Sequence, residues 1–306
     1  MVTYTIRRLL LFIPVLLGVT FLVFAIAEFT PGDPVMIMLG TRATPERVAA
    51  LRSELRLDDP FIERFVRFVV NAVQGDLGRS IRGQTPVIEE ILARLPNTIE
   101  LTVAAIFLVA AIGIPAGVYS GFYQGNTVDK VTRVVSLLGL SIPAFWLAII
   151  LILVFGVNLK WISVTGGSGI KNLILPAFTL AVGPAAVLTR LTRSSVLEVL
   201  NEDFVRTARA KGAKEGTIRI RHVLRNALIP VVTYLGMLFA DLLNGAVFIE
   251  SVFARPGLGR FAINAISARD FPQVQGLILF VATSYVGINL LVDLLYGMID
   301  PRIRLS

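Results

Sequence analysis

The sequence predicts an all-α membrane protein with six transmembrane helices. Three observations carry that prediction. Of 306 residues, 55% are hydrophobic and only 16% charged, against roughly 25% charged in an average soluble domain, and mean hydropathy is +0.76. The charges are unevenly placed and bound long runs that contain none. Prolines fall inside those runs, at Pro14, Pro115, Pro143, Pro176 and Pro184; membrane helices tolerate them when neighbours re-satisfy the freed carbonyls, so a bundle is expected. The same composition excludes a disordered chain, which needs low hydrophobicity and high net charge. The absence of cysteine excludes a disulfide scaffold, an iron–sulfur centre and thiol chemistry.

Crossing about 30 Å of hydrocarbon at 1.5 Å per residue takes about 17–25 apolar residues. The charge-free runs are residues 9–27, 101–128, 134–159, 172–189 and 271–292, and a sixth, 226–249, is interrupted only by Asp241. Span 1 therefore lies within 1–29, and the others at about 98–122, 132–156, 172–190, 227–250 and 273–297. The expected organisation is an end and span 1 over 1–29, a polar segment 30–97, a core 98–297 that contains a second polar segment 191–226, and a tail 298–306. Arg7, Arg8 and the Ala25-Ile26-Ala27 run give span 1 some likeness to a signal peptide. Its apolar run exceeds the usual 7–15 residues and five spans follow, so it reads as a retained helix.

Charge sets the orientation. With the N-terminus inside, the cytoplasmic segments carry fifteen basic residues: Arg7, Arg8, Lys130, Arg133, nine between 190 and 225, Arg302 and Arg304. The short outer loops carry five, Lys160, Lys171, Arg255, Arg260 and Arg269. The long segment 30–97 has nine bases matched by nine acids and is too long to follow the positive-inside rule. Both termini are thus expected in the cytoplasm. The net charge of +8 is mostly topological, and a nucleic-acid partner is not expected.

Two polar segments remain. In the outer one, Val48, Leu51 and Leu55, then Phe61, Phe65, Phe68 and Val69, recur at helical spacing. Pro60 separates the two helices, and Thr44 before Pro45 is an N-cap with proline at the first helical position. This segment is either a packing element or a contact for substrate. In the inner one, Val196, Leu197, Leu200, Phe204 and Val205 continue the fourth span, and a basic stretch from Thr207 to Arg225 follows, broken by Gly212 and Gly216. Glycine beside a helix end permits a left-handed turn. The stretch either rests on anionic lipid or docks a soluble partner.

Several separated motifs resemble one family, the membrane-spanning subunits of ABC importers of the dipeptide, oligopeptide and nickel type. They are Thr30-Pro31-Gly32-Asp33-Pro34; Gly75-Asp76-Leu77-Gly78-Arg79-Ser80; Pro86-Val87; and Arg94-Leu95-Pro96-Asn97-Thr98. Next come Arg206-Thr207-Ala208-Arg209-Ala210-Lys211-Gly212 and Arg221-His222-Val223-Leu224-Arg225-Asn226-Ala227. The last are Pro256-Gly257-Leu258-Gly259-Arg260, Asp270-Phe271-Pro272, Val274-Gln275-Gly276, Asp293-Leu294-Leu295-Tyr296 and Asp300-Pro301-Arg302. The ordered set covers essentially the whole chain.

That resemblance implies a type I importer permease of a bacterial or archaeal cell membrane. Its implied partners are a paralogous permease, one or two ATPase subunits that bind ATP and magnesium, an extracytoplasmic substrate-binding protein, and membrane lipid. The implied cargo is a di- or oligopeptide, with nickel, glutathione and oligosaccharide as alternatives. A coupling helix in the inner segment would seat in a groove of the ATPase. The residues it implies are Arg206, Thr207, Ala208, Arg209, Lys211, Gly212, Ala213, Lys214, Glu215, Arg219, Arg221 and His222. Ala208 and Gly212 hold the family's alanine and glycine positions, while Arg206 and Thr207 stand where it has glutamate and alanine.

Enzyme chemistry within this chain is not expected. A P-loop needs Gly-Lys before Ser or Thr to cradle phosphates, and the five lysines follow Asp, Leu, Ile, Ala and Ala. The Gly166-Gly167-Ser168-Gly169 run has the form seen around a serine nucleophile, which needs a histidine in reach. The only histidine, His222, falls on the opposite face and reads as a packing or hydrogen-bonding residue. One histidine and no cysteine exclude a metal site built on those ligands. Asp241, deepest of the acids within spans, with Asn244 beside it, is a candidate for lining the translocation path or for bonding to a partner permease, since a charge in hydrocarbon seeks a cavity or a partner. A secondary transporter or channel is the alternative from another class. Such folds pair discontinuous helices between halves, and segment 30–97 has no counterpart in the second half.

Overall fold

The computed structural model describes residues 2–30, 34–162 and 169–299, without the side chains of 2–9, 34, 42, 244, 245 and 291–299. Pro31-Gly32-Asp33 of the first motif, Gly166–Ser168, and Asp300-Pro301-Arg302 with Arg304 lie outside the described residues. In chain order the helices are α1 (Val2–Phe29), α2 (Pro34–Leu39), α3 (Pro45–Glu54), α4 (Phe61–Val73), α5 (Val87–Phe122), α6 (Thr127–Ser141), α7 (Ala144–Leu151) and α8 (Ile170–Leu200). There follow α9 (Asp203–Ala210), α10 (Glu215–Thr217), α11 (Arg225–Ala227), α12 (Ile229–Val252), α13 (Leu258–Ala268) and α14 (Phe271–Ile299). π-Helical turns extend α7 over Ile152–Asn158 and join α10 to α11 over Ile218–Leu224. Among the described residues no strand forms, only one antiparallel bridge between Arg79 and Pro86.

Among the described residues four helices are long and apolar enough to cross a membrane alone: Leu10–Phe29, Val87–Phe122, Ile170–Leu200 and Phe271–Leu290. Two bent pairs raise the number to six when each is counted as one span: Thr127–Ser141 with Ala144–Asn158, and Glu215–Ala227 with Ile229–Leu243. The first pair is broken inside the expected span over 132–156. Its halves meet at 96°, because Ile142 before Pro143 takes an extended ψ of 118°, as the residue before proline must. The second pair bends by 40°. Span 2 also differs from its expected start at 98: α5 is helical from Val87. Charge counting starts the span after Glu100, but Val87 and Ile91 are fully buried and carry the helix beyond the apolar run.

The chain divides into two compact units, residues 1–96 with 257–306, and residues 97–256. In the first, α3 starts where the sequence indicates, with the Thr44 hydroxyl accepting from the Arg47 amide at 3.4 Å. α4 lays Phe61, Phe65 and Phe68 on Phe21 and Phe24 of α1, with ring centroids 5.4–5.9 Å apart. Such edge-on aromatic pairs add about 0.5–1.5 kcal/mol each beyond burial.

Motifs far apart in sequence meet in this unit. Gly75 and Gly78 take φ of +86° and +85°, and Asp76 accepts from the Gly78 amide at 2.9 Å. That tight loop buries Leu77 against Val87, Ile91, Leu258, Phe261 and Leu277. It also brings the Ser80 hydroxyl to Asp270, donating at 2.6 Å. Gly276 on α14 is tightly enclosed, since a methyl there would stand 2.8 Å from Val87 Cγ1. The Arg94 guanidinium sits 4.6 Å from the Phe261 ring centroid.

In the second unit, α5, α7, α8 and α12 bury a common apolar core of Leu101, Val109, Ala148, Leu180, Leu188, Leu238 and Leu242, among others. α5 meets α8 through a glycine stripe. A methyl on Gly113 would stand 2.9 Å from Leu188 Cβ, on Gly117 2.6 Å from the Thr189 carbonyl oxygen, and on Gly121 2.7 Å from Val196 Cγ1. Small residues four apart let helix backbones touch. At one end Thr98 donates to Glu250 at 2.6 Å. Arg255, 2% exposed, donates to the Asn97 carbonyl at 3.2 Å and to Glu100 at 2.5 Å.

Candidate functional site

Most of the expected coupling residues fall on one compact helical corner. α8 runs to Leu200, past the expected span end, and α9 begins three residues later. Val205 of α9 is fully buried with Val196, Ile218, Val223 and Ala227, and Ala208 and Ala213 pack against that cluster. The apolar spacing therefore fixes which side of α9 faces outward: Arg206, Thr207, Arg209, Lys211 and Gly212 are exposed, as are Lys214, Glu215 and Arg221 beyond them. Gly212 takes φ +77° and ends α9 in a left-handed turn, whereas Gly216 lies within a helix.

Across that turn Arg209 donates to Glu215 at 2.7 Å. The Arg209 guanidinium holds the Glu215 carboxyl below its ordinary value, and Arg219 adds to the effect. The chain then continues as a π-helix through Arg219, Arg221 and His222, a geometry that often marks functional positions. The His222 carbonyl accepts from Asn226 at 2.7 Å. Phe204 and Ile220 are 43% and 71% exposed, so the outward surface is basic with apolar patches.

This corner is tied to the ends of two long helices by groups the sequence reading had not singled out. The Arg219 guanidinium lies 5.3 Å from the Phe122 ring centroid and 5.1 Å from that of Tyr123, and donates to the Tyr123 hydroxyl at 3.1 Å. Tyr123 in turn stacks on Tyr119 at 4.6 Å. Nearby, the fully buried Asp129 accepts from Arg193 Nε at 2.7 Å and Nη2 at 3.1 Å, from the Gly125 amide at 2.9 Å, and from the Ser120 hydroxyl. One carboxylate thereby joins α5, α6 and α8. The glycine spacing at 113, 117 and 121 was a readable signal for the α5–α8 contact; nothing in the local sequence marked Asp129 or Tyr123.

α12 has two faces. Val231, Leu238, Leu242, Ala246 and Ile249 point into the core. Met237, Asp241 and Phe248 are exposed. Asp241 therefore lies midway along the helix on the side turned away from its own core; the side chain of Asn244 lies outside the described residues.

Residues 1–102 match the family model described as binding-protein-dependent transport system membrane component, N-terminal. Residues 113–305 match that of the binding-protein-dependent transport system inner membrane component. The chain belongs to this family. Like its relatives it is a multi-pass permease subunit of an ABC importer. It is 41% identical to the dipeptide transport system permease protein DppB of Alkalihalophilus pseudofirmus, over 99% of this chain and 100% of that one. It is 41% identical to DppB of Escherichia coli (strain K12), over 99% of each chain. It is also 40% identical to the glutathione transport system permease protein GsiC of that strain, again over 99% of each. Among solved structures, the inward-facing MetNI methionine ABC transporter matches with a TM-score of 0.56 at 18% identity, covering 69% of this chain and 96% of that one. An amino acid ABC transporter crystallised with histidines matches with a TM-score of 0.51 at 17% identity, covering 70% and 94%. These two likenesses are of fold.

Proposed function

We propose that this permease imports short peptides, in a heterodimer with a paralogous permease, fed by an extracytoplasmic binding protein and driven by one or two ATPase subunits that hold ATP and magnesium. The observation that carries the cargo is the 41% identity over essentially whole chains to two dipeptide permeases. The 40% identity to a glutathione permease favours glutathione as the second candidate. Fifteen basic residues against five support a cytoplasmic position for both termini, with the 201–226 corner on the inner face and segment 30–97 on the outer.

The chain's part in the cycle is mechanical. The exposed face of α9 and the π-helical turn, from Arg206 to His222, seats on the ATPase. Small Ala208 and the left-handed Gly212 turn keep that surface close to the backbone. When the ATPases close, the corner is displaced, and Arg219 on Phe122 and Tyr123 passes that displacement to α5. The exposed face of α12 with Asp241 lines the path at the permease–permease boundary, where a carboxylate is met by water or by the ammonium group of a peptide rather than by lipid.

The test is reconstitution of the whole complex in liposomes with its binding protein, following uptake of a labelled dipeptide and of labelled glutathione. ATP-dependent dipeptide uptake supports the reading. Uptake of glutathione alone replaces it with the second, and uptake that persists without any ATPase removes both.

A further inference from the structure

The first unit carries an open cleft of about 860 Å³ bounded by α1, the α3–α4 corner, the 76–86 loop and the start of α14. Among the described residues five arginines line it, Arg52, Arg56, Arg64, Arg67 and Arg79, and Glu28 is the one acid in that lining. That lining is not a sample of the segment it comes from. Segment 30–97 carries nine bases and nine acids; among the described residues five of the bases line the cavity and no acid of the segment does.

Carboxylates hold three of these arginines. Arg64 pairs with Glu28 at 2.9 Å, Arg67 with Asp59, and Arg52 approaches Asp58 at 3.7 Å. Arg79 donates to the Gln84 carbonyl at 3.1 Å, and among the described residues neither it nor Arg56 is paired with a carboxylate. Arg56 also sits at φ +51°, closing α3 with Leu57 N–H to Arg52 O at 3.0 Å and Arg56 N–H to Ser53 O at 3.1 Å. This turn ordinarily takes glycine, and here a long cation occupies it. The rest of the lining includes the rings of Phe24, Phe68 and Phe271.

We propose that this cavity is a peptide site: Arg56 and Arg79 take the C-terminal carboxylate, the three rings take the side chains, and Glu28 faces the amino end. The planar guanidinium fork matches a carboxylate in geometry and charge. The volume falls within the 300–1,000 Å³ of small-ligand cavities, while a protein docking face is broad and open, burying upwards of about 1,200 Å². With the N-terminus inside, the cavity opens on the outer side and receives peptide before it enters the membrane path. The proposal rests on the peptide-import reading, and a negative result for one is separable from a negative result for the other.

The experiment uses the complex of both permeases and the ATPases in lipid nanodiscs, without binding protein. Equilibrium dialysis measures retention of radiolabelled Ala-Phe and of its C-terminal amide. The variants are Arg56→Gln/Arg79→Gln and the charge-keeping Arg56→Lys/Arg79→Lys, each first checked for intact assembly by size exclusion. The site requires that the amide bind at least about tenfold more weakly than the free acid, that the glutamine pair lose the same factor, and that the lysine pair recover part of it. Equal binding of acid and amide, or unchanged binding by the glutamine pair, overturns it. If the glutamine pair weakens association of the binding protein but not of the peptide, an acidic side chain of that protein is the true occupant and the proposal falls. A wild-type complex that imports Ala-Phe in liposomes yet retains none in dialysis overturns the site while leaving the import reading intact.

Discussion

Arg219 clasps Tyr123: its guanidinium lies 5.1 Å from the ring centroid and donates to the ring's own hydroxyl at 3.1 Å. The pair links the π-helical turn of the corner to the residue that follows α5. An exposed cation–π contact is worth about 0.5–1 kcal/mol, and the hydrogen bond adds a similar amount.

If that clasp transmits displacement, Tyr123→Ala and Arg219→Ala should each lower peptide uptake per ATP hydrolysed by about threefold to tenfold, while ATP hydrolysis by the assembled complex changes little. The double variant should be no worse than the worse single one. Parallel loss of uptake and hydrolysis would mean that the residues only hold the fold.

The Asp129–Arg193 pair joins α6 to α8, the Ser120 hydroxyl adds α5, and Asp129 has no exposed surface. Removing one partner of a buried pair leaves an uncompensated charge and costs about 3–5 kcal/mol. Asp129→Ala should therefore lower the thermal midpoint of the purified permease by several degrees. Asp129→Ala/Arg193→Leu, which removes both charges, should restore part of it. A double variant as unstable as the sum of the singles would contradict this coupling.

The glycines of the second unit are predicted to divide sharply. Gly117→Ala places a methyl 2.6 Å from a backbone oxygen and should cost about 1–3 kcal/mol through overpacking. Gly183, in α8 with nothing within 4 Å of its added methyl, should gain about 0.5–1 kcal/mol on changing to alanine. Melting curves of the two variants in the same detergent test the contrast, and a like-signed shift would refute it.

Asp241 is exposed on α12, away from the chain's own core. If it meets the ammonium group of a peptide in the path, Asp241→Asn should reduce uptake of free-amine dipeptides by about tenfold, one charged hydrogen bond. N-acetylated dipeptides should be taken up as before. Unchanged uptake of every peptide tested would remove Asp241 from the path.

The spans were legible because a membrane is a one-dimensional constraint: a run of about 17–25 apolar residues without charge marks a helix whatever it packs against. The α3 and α4 boundaries were equally local, set by Thr44, Pro45 and Pro60. Pro143 was visible too, yet its 96° consequence was not, since a proline bends or breaks a span according to what surrounds it. The coupling corner came partly from spacing, through Val205 and Gly212, and partly from resemblance. What stayed hidden is what depends on distance in the chain. Ser80 meets a carboxylate 190 residues away, and Arg56 and Arg79 reach a common cavity from different loops. Balanced charge along segment 30–97 gave no hint that five of its arginines would line one cavity.

The glycine stripe has a dynamic corollary. Side chains interleaved between two helices act as a compliant layer, and shear between packed helices proceeds by their rotamer changes. Where Gly113, Gly117 and Gly121 bring α5 onto α8, α5 contributes nothing to that layer, so the two helices are expected to shear less and move more nearly together. Flexure in this unit is then expected at its bends, 96° at Ile142–Pro143 and 40° between α11 and α12.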